Sequence, residues 1–187
     1  MLEKERAKHE VAKEIRSREK RIHETRRAFV ENSAVSEWVL DLSVPRDRRK
    51  FLVLDGPSRM GKTAFACSLV APGATLEVNC AGVLDPPLRA FSRKHHRLIL
   101  FDEASTRMVL KNRRLFQAPN TAVTVGSSPT NALAYDLYLN GTLLVAASNN
   151  WEKELAALPS EDRSWLDANM VYVLVKEKLF KADPPAV

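Results

Sequence analysis

A chain of 187 residues, 45% apolar and 28% charged, has room for one domain with a true core plus an appended segment, and its composition is neither that of a disordered chain nor that of a membrane bundle. No apolar run approaches the roughly 20 residues of a bilayer-spanning helix, and Met1 opens a charged stretch rather than a secretory leader. An intracellular protein, nuclear or cytoplasmic and without membrane attachment, is expected. The formal charge of +6 permits a polyanionic partner but decides little alone.

Residues 1–27 are almost uninterrupted Lys, Arg, Glu and Ala without Gly or Pro, which favours a solvated helix laced by opposite charges three or four apart. Its thin apolar stripe (Val11, Ile15, Ile22, Phe29) suits a partner-docking arm, a basic nucleic-acid arm or a plain charged helix. Residues 1–35 are assigned to this arm, 36–180 to the domain and 181–187 to a tail. A linker helix over 31–42, carrying Trp38, is expected to pack on the domain.

After the basic turn PRDRRK (45–50), short apolar runs alternate with longer helical stretches. Strands are expected at 51–54, 75–78, 97–101, 142–147 and 170–175, and helices at 61–70, 86–94, 105–116 and 151–168. Such alternation predicts an α/β sandwich with a mainly parallel five-stranded sheet and helices on both faces. Cys67 and Cys80 lie in apolar stretches without metal-ligand spacing, so buried reduced thiols are expected.

The octapeptide Gly56-Pro57-Ser58-Arg59-Met60-Gly61-Lys62-Thr63 fits the G-x-x-x-x-G-K-[ST] phosphate loop at every fixed position, between a strand and a helix that continues with Ala64. Its glycines let the backbone wrap with N–H groups inward, and the helix start adds a favourable dipole. Lys62 is expected to reach the β and γ phosphates of ATP, and Thr63 to ligate Mg²⁺. Some 40 residues on, LILFDEAS ends an apolar run in Asp102 and Glu103. The first suits the metal's water shell and the second a base for the attacking water; a capping pair for the next helix is the plainer reading. A further apolar run, TLLVAASNN, ends in Asn149, whose amide can hydrogen-bond both a γ phosphate and a water if this strand adjoins the loop strand.

In this order and at these gaps, GPSRMGKT, LILFDEAS and VAASNN resemble motifs A, B and C of superfamily 3 helicases, most closely the helicase domain of Rep proteins of small single-stranded DNA viruses. That resemblance implies a P-loop NTPase fold of the additional-strand (AAA+-like) type, with the Asp102 strand inserted between neighbours. It also implies an oligomeric ring that moves single-stranded DNA or RNA, with Arg163 as a finger completing a neighbour's site. In that family the segment between motifs B and C holds a β-hairpin with a basic tip. Here the corresponding tip, 126–131, carries no Lys or Arg, so basic grip would come from Lys111, Arg113 and Arg114 or from the SRKHHR run at 92–97. The adjacent His95 and His96 lack the His-x-His spacing of a nickase metal pair. Two other functions fit the residues: a small-molecule kinase using 111–114 as a lid, and a non-catalytic module switched by ATP.

Overall fold

The computed structural model describes residues 13, 28–126 and 134–181; the expected arm lies otherwise outside the described residues. Its centre is a five-stranded sheet made of β1 (Phe51–Asp55), β2 (Thr75–Asn79), β3 (Leu98–Asp102), β6 (Leu143–Ser148) and β7 (Met170–Leu174), ordered β2-β3-β6-β1-β7 with every pairing parallel. All five expected strands are present to within a residue at each end. β1 and β6 are buried along their whole length, which is why both read as unbroken apolar runs rather than alternating ones. Between β3 and β6 a short antiparallel hairpin pairs β4 (Val123–Val125) with β5 (Tyr135–Leu137); most of the expected tip, from residue 127, lies outside the described residues.

Alternate residues of β1 serve two cores. Leu52 and Leu54 face Phe65, Ala66 and Cys67 of α2 (Lys62–Ser68), together with Val35 and Trp38 of α1 (Ser33–Leu40). Phe51 and Val53 face Met108 and Val109 of α3 (Thr106–Lys111), Leu115 and Phe116 of α4 (Arg113–Phe116), Trp151 of α5 (Trp151–Ala156) and Leu166 of α6 (Ser160–Asn169). Each buried Val, Leu, Phe or Met among them contributes about 1.5–3 kcal/mol, and helices cover both faces as expected. α1 is the expected linker helix, capped by Asn32 and pinned by the Trp38 indole N–H to the Lys50 carbonyl at 2.8 Å. Phe29 and Val35, on the arm side of the expected boundary at residue 36, also pack on the domain. Cys67 and Cys80 are buried free thiols, and burial, then the charge of Asp102, pushes Cys80 up to about 12, so it stays protonated and inert.

The helix expected at 86–94 does not form; turns occupy that stretch. Pro86 and Pro87 remove two backbone donors and bias the residues before them towards extended backbone. The Leu88 N–H goes instead to the Tyr135 hydroxyl and the Ser92 N–H to His96 Nδ1. His95 and His96 therefore lie in or beside a turn, and His96 stacks on Phe91. Two long expected helices are each broken in two. Asn112 interrupts 105–116 by sending its side-chain amide to the carbonyls of Leu84 and Met108, and Pro159 separates α5 from α6. Among the described residues no helix is long and apolar enough to cross a membrane.

Candidate functional site

The C-terminal tips of β1, β3 and β6 converge on a cleft of about 290 Å³ whose lining includes residues 58–64, Asp102, Glu103 and Asn149. β6 lies between β1 and β3, so Asn149 follows a strand next to the one that carries the loop, and the Asp102 strand sits one place further out, between β2 and β6. Gly56 leaves β1 at φ 153°, packed so closely that a Cβ there would stand 2.3 Å from the Val175 carbonyl oxygen. At Gly61 the backbone is left-handed (φ 89°) as the chain enters α2, a conformation that glycine adopts freely. Arg59 is also left-handed (φ 65°), so the loop doubles back on itself. Among the described residues, no acceptor is within hydrogen-bond range of the backbone N–H groups of Ser58, Arg59, Met60 and Gly61. The loop carbonyls are used: Met60 accepts from the Leu179 N–H at 3.0 Å.

Lys62 is 92% removed from solvent, at 8% exposure, with its ammonium inside the loop. Nζ donates to the carbonyls of Gly56 (2.6 Å) and Pro57 (2.8 Å) and to Asn149 Oδ1 (2.8 Å), which uses all three of its protons. Burial lowers its pKa, opposed by the charges of Glu103, Asp55 and Asp102. Asn149 extends the chain of bonds, its Nδ2 lying 3.0 and 3.1 Å from the two carboxylate oxygens of Glu103. Glu103 has φ 55°, a conformation rare and strained for a side-chain-bearing residue. Thr63 Oγ1 sits 3.4 Å from both oxygens of Asp102, beyond the ~2.7–2.8 Å of a close hydroxyl bond. Burial raises the pKa of Asp102 and Glu103's charge adds to the rise, while the Glu103 N–H and the Thr63 hydroxyl oppose it.

Chemically, the cleft offers N–H donors not taken by the protein and an ammonium for an anion, a hydroxyl with a carboxylate for a hard cation, and a second carboxylate held by an amide. Thr63 and Asp102 have the oxygen donor set that magnesium takes when phosphate and water fill its other positions. Among the described residues, no group of three or more His, Cys, Asp or Glu could hold a metal by itself.

One residue with a decisive position was not anticipated. Asp55, 3% exposed at the tip of β1, accepts from the backbone N–H groups of Trp151 and Glu152 at 3.0 and 2.9 Å and from the Tyr172 hydroxyl at 3.0 Å. It caps α5 from a neighbouring strand, where Asn150 itself makes no side-chain cap, and so fixes the turn that presents Asn149. Burial, with Asp55's hydrogen bond and charge, raises the pKa of Tyr172. Its only trace in the sequence is an acidic residue directly before the loop glycine.

Arg163 lies outside the cleft, exposed on α6, and the neighbouring Asp162 pairs with Arg113 rather than with it. Arg113 also lies over the Trp165 ring at 5.2 Å, Lys111 is bonded to Asp85 at 2.7 Å, and Arg114 reaches Thr121 and the Ala122 carbonyl. The 111–114 run is thus tied into the domain surface. No protein-family model matches the chain, and no curated protein is significantly similar to it.

Proposed function

We propose that the cleft binds a nucleoside triphosphate, ATP, with Mg²⁺ and hydrolyses it, in a P-loop NTPase domain of the additional-strand type akin to superfamily 3 helicases. The observation that carries this reading is the bonded chain Lys62–Asn149–Glu103 at the rim of a loop whose N–H groups have no protein acceptor among the described residues. Supporting the fold assignment is the place of β6 between the loop strand and the Asp102 strand.

The loop N–H groups and Lys62 bind the β and γ phosphates, with Lys62 exchanging at least one of its present acceptors for phosphate oxygen. Thr63 and Asp102 hold the magnesium, which when bound neutralises charge on the phosphates. Asn149 positions a water against the γ phosphate, and Glu103 accepts the proton from that water as it attacks the γ phosphorus, while the bond from that phosphorus to the β–γ bridging oxygen breaks and its electron pair leaves with ADP. Arg163, exposed and away from its own cleft, is the side chain a neighbouring subunit would receive in an oligomeric ring acting on DNA or RNA. The alternative of a small-molecule kinase has less support, since Lys111 and Arg113 of its lid segment pair with Asp85 and Asp162 rather than facing the cleft.

Lys62→Ala is expected to abolish ATP binding or phosphate release, and unchanged affinity and turnover would refute the assignment. Arg163→Ala is expected to lower turnover in the assembled protein while sparing binding, checked beside a sedimentation mass.

A further inference from the structure

At the opposite end of the sheet, the segments entering β1, β6 and β3 lie side by side, because those strands are neighbours in the order β3-β6-β1. Into β1 come Arg46, Arg48 and Lys50, and into β3 come Arg93, Lys94 and Arg97, all exposed. Between them sits the segment entering β6, with Tyr138 and Asn140. Two basic runs some 45 residues apart in sequence thereby become one surface.

Side-chain bonds stitch it together. The Arg93 guanidinium lies over the Tyr138 ring, 4.5 Å from its centroid, and reaches the Asn140 carbonyl at 3.4 Å. Arg97 is bonded to the Arg93 carbonyl at 2.7 Å, and the Asn140 amide donates to the Arg46 carbonyl at 3.2 Å. Tyr138 is 39% exposed although one face of its ring is covered by Arg93. Arg46 lines two clefts, one of about 420 Å³ shared with Tyr138 and Asn140 and one of about 500 Å³ shared with Arg48 and Lys50. The carboxylates facing them are partly occupied: Asp41 pairs with Arg46 and Asp47 accepts from Asn120, with Glu37 lining the second cleft.

We propose that this surface, formed by Arg46, Arg48, Lys50, Arg93 and Lys94 around Tyr138, binds the phosphate backbone of a single-stranded nucleic acid. Basic side chains track phosphates with little regard to sequence, and an aromatic ring backed by a guanidinium is a platform for a base whose face is free. A duplex hides its base faces, so the ring selects the single strand. The hairpin between β4 and β5 need not carry the grip. The patch is separate from the phosphate cleft, lying at the other end of strands of five or six residues, roughly 17–20 Å away at ~3.3 Å per residue. It goes beyond the nucleotide reading and requires no bound nucleotide, so the two can fail independently.

The test is an anisotropy titration of the full chain with a labelled oligothymidylate of about 20 nucleotides between about 50 and 200 mM salt, without ATP. Arg48→Glu/Lys50→Glu/Lys94→Glu changes exposed residues only and is expected to weaken binding at least tenfold. It should also flatten the salt dependence by about 0.7 in log–log slope for each phosphate that the variant no longer neutralises. Tyr138→Ala is expected to weaken binding about tenfold with the slope kept, and Lys62→Ala to leave binding unchanged; thermal melts check folding of each variant. Wild-type binding by the triple variant, equal affinity for a blunt duplex, or displacement by polyglutamate at equal charge would each overturn the proposal.

Discussion

Asn149 joins Glu103 to Lys62: its amide nitrogen is 3.0 and 3.1 Å from the Glu103 carboxylate oxygens, and its amide oxygen 2.8 Å from the Lys62 ammonium. An amide can do both, since it carries a donor and an acceptor on one short side chain. Asn149→Asp would set two carboxylates against each other and leave Glu103 without its donor. Turnover of ATP is expected to fall by about 10²-fold, the scale of losing one positioned polar group, with nucleotide affinity within a few-fold of wild type. Glu103→Gln should behave likewise. Parallel measurement of steady-state turnover and nucleotide binding checks both, and undiminished turnover in either variant removes that residue from the reaction.

Asp102 gives a pH-dependent prediction. Because burial raises its pKa in the folded protein, folding favours the protonated form. The stability this group contributes is full below its unfolded value, about 3.9, and is lost as pH rises through the folded pKa. Asp102→Asn is therefore expected to raise Tm at neutral pH, at about 2–4 °C per kcal/mol gained for a chain of this size, with the advantage shrinking towards acid. The same variant should lose magnesium-dependent turnover, a trade of function for stability. Thermal melts across pH beside a magnesium titration of activity measure the two effects, and a lower neutral Tm would contradict the first.

The two loop glycines should differ in how they tolerate a methyl group. At Gly56 a Cβ would meet the Val175 backbone oxygen at 2.3 Å, whereas at Gly61 it would meet the Phe180 ring at 2.8 Å. A ring can move aside, while a carbonyl beside the sheet cannot. Gly61→Ala is expected to cost about 1–3 kcal/mol, including the ~1–2 kcal/mol of left-handed backbone, and Gly56→Ala more. Adding Phe180→Ala should recover part of the Gly61→Ala loss and none of the Gly56→Ala loss, as chemical denaturation of the single and double variants would report.

The sheet was readable in the sequence because β1, β3 and β6 are buried on both faces and so spell out apolar runs. The helix expected at 86–94 failed because, beside Pro86 and Pro87, the side chains of His96 and Tyr135 take backbone N–H groups of the stretch, and such side-chain competition leaves no periodic trace. Motif spacing was enough to pick out Lys62, Thr63, Asp102, Glu103 and Asn149 as one group. It could not say that Lys62 and Asn149, separated by 87 positions, share a hydrogen bond. Nor could it show that Asp55 caps a helix 96 residues away. Those are consequences of strand order, which local pattern does not encode.

That order also explains why the cleft opens where it does. Beyond β1 the chain turns into α2, on the face of Leu52 and Leu54; beyond β6 it turns into α5, on the face of Phe51 and Val53. Two adjacent strands whose connections depart in opposite directions leave a gap above their tips, a topological switch point. The gap would exist whatever residues lined it. The bonds from Lys62 and Asp55 cross it, so the mouth of the cleft is spanned by polar links between parted connections, and anything entering must exchange bonds with the molecule's own clasp.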